Sequence, residues 1–322
     1  MNNLNKAIKF YQDVKSKRGY FPDNVLFWQL FGKFSPALLR IIGTKNVQII
    51  CNKRHQVTLD FLKSKFSAFL KDYHFYKSAV DNQKIIWSLW LQGYDNAPEL
   101  VKATLKSSKK YAELHGYRFI LLDEESVLEY VELPKFLLEK RKKGLISHTA
   151  FADLLRVALL SKHGGVWIDS TVYIEQDFPV SELERTFFSL KTGEYEDFSP
   201  NVAKNRWKTF LLAGNSVLFT FVRDFLFEYY KKYDLSVDYL LIDYVFELGY
   251  QLNQNIKSDI DVVPISNLNL FWLERNLGSL YEQEKWAQIT ENTHVFKTTY
   301  KLPNEILHSN NSFYKYLLIN KL

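Results

Sequence analysis

The sequence of 322 residues contains a single cysteine, Cys51, which excludes an internal disulfide framework and a cysteine-rich metal site. It has no run of about 18 apolar residues, the length that a membrane-spanning helix needs. Residues 1–6 lack the apolar stretch of a signal peptide, and no low-complexity block occurs anywhere. These absences predict a cytoplasmic protein with an ordinary apolar core.

The chain also has no large excess of positive over negative charge. The formal net charge is only +6, and lysine and arginine are scattered along the chain, so the sequence gives no support for a nucleic-acid partner. Acidic ligands or an anionic membrane surface fit this mild basic excess. The length suits one large domain, or one domain with an appendage.

Residues 1–80 differ from the rest of the chain because helical spacing dominates them, apart from a strand-like signal at residues 47–51. Its most apolar stretch, residues 24–42, is interrupted by Gln29, Lys33 and Arg40 and is too polar to span a bilayer. We predict a helical N-terminal region that forms a bundle or an appendage on the acceptor or membrane side. Peripheral contact of residues 24–42 with the inner face of the plasma membrane is the alternative.

An α/β pattern begins at residue 84. Residues 84–90 read as a strand, residues 92–98 as a polar loop, and a helix follows up to Gly116. Residues 118–122 form the next strand, which ends at Asp123. This order is a βαβ unit, typical of the first half of a nucleotide-binding sheet.

The most informative stretch is residues 147–171. Apolar positions with helical spacing follow Ser147, a suitable N-cap, and place Asp153 and Arg156 together on one flank. Two glycines then lead into a short apolar strand that ends at Asp169, where open α/β sheets bind ligands. Taken singly, the helix pair could be a surface ion pair and Asp169 a turn cap.

This order and spacing resemble the capsular polysaccharide synthesis proteins, relatives of glycosyltransferase family 32 and of the clostridial glucosylating toxins. In that group a helix with S/A-D-x-x-R precedes G-G-x-x-x-D-x-D, and residues 84–98 match the opening K-I-I-W-x-x-W-x-Q-G-x-x-x-A-P. The resemblance implies a GT-A-like nucleotide-diphospho-sugar transferase fold in residues 81–322. Such a fold has a mixed, mostly parallel central sheet flanked by helices.

The resemblance also implies roles for the matching residues. Asp153 would hold hydroxyls of the donor sugar, Arg156 the sugar or the phosphates, and Asp169 the ribose and a metal-bound water. Mn²⁺ or Mg²⁺ is the implied ion, but Thr171 replaces the second acid, and a hydroxyl is a poor ligand for a hard divalent cation. Gly165 and Ser170 belong to the same nucleotide-binding turn.

Other candidates surround this motif, each with a structural alternative. We expect contacts to the base, the ribose or the sugar from four polar residues: Gln92, Asn96, Asp123 and Asn215. Turn or cap geometry is the alternative for them. Trp87 or Trp90 is expected to stack on the base, and core packing is the alternative for both. The repeated Asp-Tyr pair supplies Asp238 and Asp243 for the acceptor or for positive charge on the sugar, unless they are buried caps. Lys297 and Lys301 would contact the diphosphate, unless they are exposed lysines of an ordinary strand.

The predicted reaction transfers a sugar, with retention of anomeric configuration, from a nucleotide diphosphate donor to a glycan in capsular or exopolysaccharide synthesis. The expected donor is a UDP-sugar, and the expected acceptor is an undecaprenyl-diphosphate-linked oligosaccharide. The alternative is a non-catalytic subunit of a polysaccharide assembly complex that binds a nucleotide sugar or a glycan. The sequence identifies no nucleophile or base.

Overall fold

The computed structural model describes residues 3–77, 83–196 and 200–319. The N-terminal region is helical, as predicted, and its third helix is interrupted at Gly43. No helix in the described ranges is both long and apolar enough to cross a membrane. The N-terminal helices are α1 (Asn3–Ser16), α2 (Asp23–Phe34), α3 (Leu39–Lys65) and α4 (Ser67–Asp72).

A five-stranded sheet forms the centre of the remaining chain, with the order β2-β1-β3-β6-β5. Its strands are β1 (Ile85–Leu89), β2 (Arg118–Leu122), β3 (Val166–Ile168), β5 (Phe187–Ser189) and β6 (Leu211–Gly214). Strand β1 pairs in parallel with β2 and β3, whereas β6 is antiparallel to both β3 and β5. Four strands therefore point the same way and one is reversed, which confirms the mixed, mostly parallel sheet.

Helices surround this sheet, as the α/β prediction requires. Helix α5 packs on β1 and β2, while α7 packs on β3 and on α9. The helices are α5 (Glu99–Leu114), α6 (Lys135–Lys142), α7 (His148–His163), α8 (Val180–Leu183), α9 (Val217–Lys232), α10 (Leu241–Leu252), α11 (Gln254–Asp261), α12 (Trp272–Asn276), α13 (Gln283–Thr290), α14 (Asn304–Leu307) and α15 (Phe313–Leu318).

A small second sheet extends the site edge of the domain. Strand β4 (Val172–Ile174) pairs antiparallel with β7 (Val295–Lys297), and Val172 lies opposite Lys297. The register therefore brings the C-terminal part of the chain next to residues 169–171. Tyr173 and Phe296 continue from this ribbon into a separate aromatic core with Trp286 and Phe313.

A buried ion pair joins the N-terminal helices to the α/β part. Arg54 on α3 donates to the carboxylate of Asp238, and both side chains are almost fully buried. Arg54 also donates to Gln29 Oε1 at 3.1 Å and to the Pro200 carbonyl oxygen at 3.2 Å. Burying two charges is costly unless they are paired and hydrogen-bonded, and this network meets that condition.

Three expectations from the sequence change. Residues 47–51 lie inside α3, so the strand prediction is wrong, because the flanking helical pattern continues through them. Helix α10 begins at Leu241, so Asp238 precedes the helix and Asp243 alone of the two acids lies on it. Helical spacing continues to residue 80 in the sequence, whereas α4 ends at Asp72 and residues 73–77 are not helical. The boundary predicted between residues 80 and 81 lies outside the described residues.

We expect Arg54→Met to lower the free energy of unfolding by about 3–5 kcal/mol, because the carboxylate of Asp238 would stay buried without a partner. Chemical denaturation measures this change. Arg185→Met is the matched control: it removes a pair with Glu182 in which Arg185 is 36% exposed. It should cost less than about 1 kcal/mol. Equal losses in the two variants would contradict the structural role of the buried pair.

Candidate active site at the end of β3

Local geometry explains how the α7–β3 segment presents its polar residues. The Ser147 side chain caps α7 by accepting from the amide of Ala150 at 3.2 Å, as predicted. The helix ends at His163 with Gly164 as its C-cap, and Gly165 follows with φ +87°. A Cβ on Gly165 would lie 2.5 Å from the Ile85 carbonyl oxygen, so this position needs glycine to let β3 approach β1. Gly165 is therefore a packing residue that fixes where Asp169 emerges.

The guanidinium of Arg156 is the centre of the site. Its Nη2 lies 3.3 Å from Asp153 Oδ1 and 3.2 Å from Asp169 Oδ1, and its Nη1 donates to the Thr209 carbonyl oxygen at 2.8 Å. Its carbon lies 5.3 Å from the ring centroid of Trp167, whose indole nitrogen donates to Asp169 Oδ1 at 2.8 Å. Arg156 is only 6% exposed, so the surface ion pair considered from the sequence is not what forms.

One donor of this guanidinium remains unused. Arg156 Nε is buried and has no hydrogen-bond partner among the described residues. An unpaired buried donor on a charged group is costly. A ligand oxygen reaching the cluster would remove that cost, so the arrangement is suited to an oxygen-rich ligand.

Two buried acids near Arg156 have raised pKa values. Burial raises the pKa of Asp153 to about 7, and the nearby charges of Asp243 and Asp169 add to the rise while Arg156 opposes it. Burial also raises the pKa of Asp243 to about 6, against the hydrogen bond that Trp207 Nε1 donates to its Oδ1 at 2.9 Å. Asp153 and Asp169 thus contact one guanidinium, and Asp243 is close enough for its charge to act on Asp153 and Arg156.

A lysine occupies the position next to the partial metal motif. Lys297 Nζ lies 3.6 Å from Asp169 Oδ2 and donates to the Thr171 hydroxyl. Asp169 therefore faces two cations and an indole N–H, a set of neighbours that repels a divalent cation. Among the described residues no three acidic, histidine or cysteine side chains are placed to hold a metal ion. The side chains around Asp169 do not fit the Mn²⁺ or Mg²⁺ expected from the resemblance.

The two tryptophans at the first strand lie in different environments. Trp87 is fully buried between β2 and β3 and donates to the Gly164 carbonyl oxygen at 3.1 Å, so it cannot stack on a base without opening the core. Trp90 is only partly buried at the end of β1, and its ring meets the Tyr300 ring edge-on at 5.4 Å. Trp90 is the one available for stacking.

Several polar candidates lie in turns. Asn96 donates to the Gln92 carbonyl oxygen at 2.8 Å, and both side chains are exposed on the loop after β1. Asp123 accepts from the amides of Glu125 and Ser126, which is the cap geometry considered from the sequence, and these bonds lower its pKa. The backbone N–H of Asn215 donates to the Thr186 carbonyl oxygen in the turn after β6.

The remaining candidates divide between the cluster and other sites. Ser170 is buried, and its carbonyl oxygen accepts from Thr104 at 2.6 Å, so it anchors the turn after β3. Asp238 forms the buried pair with Arg54 and makes no direct contact with Arg156 among the described ion pairs. Lys301 is exposed and lines an open cleft of about 560 Å³ together with Arg275, Thr299 and Phe271.

That cleft borders the Arg156 cluster through aromatic residues. The ring of Phe271 meets that of Phe210 at 6.4 Å, and Lys297 Nζ lies 5.2 Å from the Phe210 centroid. Lys297 and Lys301 therefore face one continuous edge of the domain. The edge offers several cations and half-buried rings to a charged, partly aromatic ligand.

Sequence reasoning missed the residues that support this cluster: Trp167, Trp207, Lys208, Thr209 and Phe210. Trp167 reads as an ordinary residue of the short apolar strand before Asp169. Lys208 is half-buried, and desolvation lowers its pKa while Asp243 opposes that change. The signal in the sequence was the pair of aromatic residues, Trp207 and Phe210, that encloses Lys208 and Thr209, which no family motif marked.

The family model described as "Capsular polysaccharide synthesis protein" matches residues 40–317, and the chain belongs to this family. A comparison with curated proteins gave no match. Among solved structures, the chain is similar to a glycosyltransferase described as "involved in the glycosylation of the major capsid of PBCV-1". That similarity has 11% identity, covers 70% of this chain and 97% of the other, and has a TM-score of 0.33, which is too low for any inference.

The raised pKa values predict an unusual pH dependence of stability. An acid whose pKa is higher when folded stabilises the fold at low pH and loses that contribution as pH rises through the folded value. Asp153 and Asp243 therefore lose their stabilising contribution as the pH rises from about 4 to about 7. We expect Asp153→Asn to unfold at a higher temperature than wild type at pH 8, with a gain of at least about 1 kcal/mol, the worth of one pKa unit.

Thermal unfolding of both proteins from pH 5 to pH 8 measures the difference. The advantage of Asp153→Asn should shrink toward pH 5, where the wild-type carboxyl is protonated. Asp123→Asn is a control, because turn hydrogen bonds lower the pKa of Asp123. A wild-type protein that gains stability from pH 5 to pH 8 relative to Asp153→Asn would contradict this account.

Proposed function

We propose that this chain is a glycosyltransferase that moves a sugar from a nucleotide diphosphate donor to a glycan in capsular or exopolysaccharide synthesis. The observation that carries the proposal is the buried Arg156 guanidinium held between Asp153 and Asp169, with its Nε donor unused. Membership of the capsular polysaccharide synthesis family supports it. The GT-A-like designation of the fold is part of this proposal.

The donor would bind along the edge from the Arg156 cluster to the Lys301 cleft. Asp153 would accept hydrogen bonds from the sugar, and Arg156 would donate Nε to a sugar or phosphate oxygen. Lys297 and Lys301 would contact the diphosphate, and Trp90 offers a ring for the base. We expect a UDP-sugar, with Asp169 holding the ribose.

The chemistry needs two kinds of charge stabilisation. Breaking the bond between the sugar carbon and the diphosphate leaves positive charge on the sugar and negative charge on the leaving group. The carboxylates of Asp153 and Asp243 would stabilise the first, and Arg156 with Lys297 the second, because fixed charges in a buried site act strongly. The acceptor oxygen then forms the new bond to the sugar carbon, and the hydroxyl proton passes to an oxygen of the departing diphosphate. We expect retention of configuration.

Lys297 would take over the charge that a divalent cation supplies in related motifs. Its ammonium group already lies beside Asp169 and the Thr171 hydroxyl, the position of the replaced second acid. A fixed cation there would neutralise the leaving diphosphate without a metal. We therefore propose transfer that does not depend on Mn²⁺ or Mg²⁺.

Lys297→Ala should reduce nucleotide release from the donor by about 100-fold, the usual effect of losing one charge-stabilising group. Wild-type release should be unchanged by EDTA. Added Mn²⁺ should not restore the variant, and Lys285→Ala, which removes a partly buried lysine over Trp272, is the control. Loss of wild-type activity in EDTA would contradict the metal-independent proposal.

Hydrolysis of the donor without acceptor separates the enzyme from a binding subunit. An enzyme releases free nucleotide slowly, and this release should be lost in Asp153→Ala. A subunit that only binds the donor would show a thermal shift with nucleotide sugars but no release. Absence of both binding and release would refute the glycosyltransferase proposal, while NMR of the released sugar reports the anomeric configuration.

A lipid-linked acceptor is part of the proposal because helix α2 carries exposed aromatic residues. Phe27 is 56% and Phe31 37% exposed, and their rings stack with centroids 5.8 Å apart. Aromatic side chains on an exposed helix face favour the membrane interface. The other face of α2 packs inward through Val25, Leu26 and Gln29.

We expect the double variant Phe27→Ser/Phe31→Ser to bind vesicles of anionic phospholipid at least several-fold more weakly than wild type, as measured by co-sedimentation. Leu114→Ser/Leu128→Ser removes two exposed apolar residues elsewhere and should leave binding unchanged. Equal sedimentation of the two double variants would argue against membrane contact through α2.

A further inference from the structure

A cavity of about 590 Å³ lies between the N-terminal helices and the α/β part of the chain. One wall comes from α1 and α2, and the opposite wall from the start of α7 and the loop before α10. Ligand-binding cavities commonly span about 300–1,000 Å³. This cavity has the size of a binding site, and the donor edge described above does not use it.

Tyr239 connects this cavity to the Arg156 cluster. It lines the cavity beside Thr149 and Ala150, at the start of the helix that carries Asp153, and it is 65% exposed. Its hydroxyl is close enough to the cluster for the charges of Asp153, Arg156 and Asp169 to act on it. A molecule seated in the cavity would therefore present its end to the reacting groups.

The charges in the cavity wall are balanced, since two lysines and two aspartates line it. Lys17 Nζ bonds to Asp13 at 2.8 Å, Asp238 is bound to Arg54, and Lys33 Nζ lies 5.9 Å from the Tyr239 centroid. This lining carries no net positive charge to hold a diphosphate, in contrast to the edge with Lys297. The rest of the wall alternates apolar residues such as Val14 and Leu145 with polar ones such as Ser236.

We infer that this cavity binds the acceptor saccharide, with the N-terminal helices forming one wall of the acceptor site. A neutral saccharide fits because its hydroxyls can bond to the polar side chains while its C–H faces pack on Tyr239 and the aliphatic residues. The inference rests on the proposed function, since an acceptor presupposes transfer. The N-terminal region is thereby part of the active site.

The buried network keeps this wall in place. Asp238 and Gln29 both line the cavity, and both are fixed through Arg54, while Gln29 Nε2 also donates to Thr58 at 2.7 Å. A rigid wall lowers the entropy cost of ordering a bound saccharide. The Arg54–Asp238 ion pair therefore helps to fix the shape of the cavity.

The test places a tryptophan side chain on each wall of the cavity in turn. The variants are Lys33→Trp on α2 and Leu145→Trp before α7. Saturation-transfer NMR with methyl and octyl hexosides, in the presence of UDP, measures binding. Both variants should weaken binding of a hexoside at least 10-fold relative to wild type. Leu307→Trp, at another half-buried leucine outside the cavity, should bind like wild type.

Donor binding is measured on the same proteins by calorimetry with UDP-sugars. If wild type binds no nucleotide sugar, the proposed function fails. If wild type binds a donor but no hexoside, or if both tryptophan variants bind the hexoside as wild type does, only the acceptor inference fails. Donor binding retained by a variant shows that it has folded, so a variant that loses hexoside binding alone supports the inference.

Discussion

The placement of one guanidinium governs the candidate site. Arg156 is buried on α7, and its charge is compensated there by hydrogen bonds to Asp169 and the Thr209 carbonyl oxygen and by an ion pair with Asp153. These partners come from a helix, from the end of β3 and from the segment before β6. The cluster therefore fixes three elements relative to one another at the edge where a ligand would bind.

Electrostatic balance at this edge explains why its two sides suit different ligands. Lys297 adds a second cation beside Asp169, so the side toward β7 favours phosphate. On the side toward α2, paired charges leave polar and aliphatic surface that favours uncharged groups. A charged donor and the neutral saccharide of the acceptor could approach one cluster from opposite directions without competing for the same groups.

The N-terminal helices show how a structural pair can affect a binding site. Arg54 and Asp238 are far apart in the sequence and almost fully buried, and their contact holds α3 against the loop that leads into α10. That loop carries Tyr239, which lies near Asp153. A change in the helical region would therefore alter the site through this loop as well as through the cavity wall that α1 and α2 form.

The sequence by itself determined the α/β class, the strand at residues 85–89, the capped helix with Asp153 and Arg156, and the acid after β3. These features follow from local periodicity, capping and turn residues, which act within one or two elements. Tertiary structure alone decided that Trp87 is core, that Asp238 pairs with Arg54, and that Lys297 bonds to Thr171. Those contacts join residues distant in the chain, and no local pattern specifies which buried charge finds which partner.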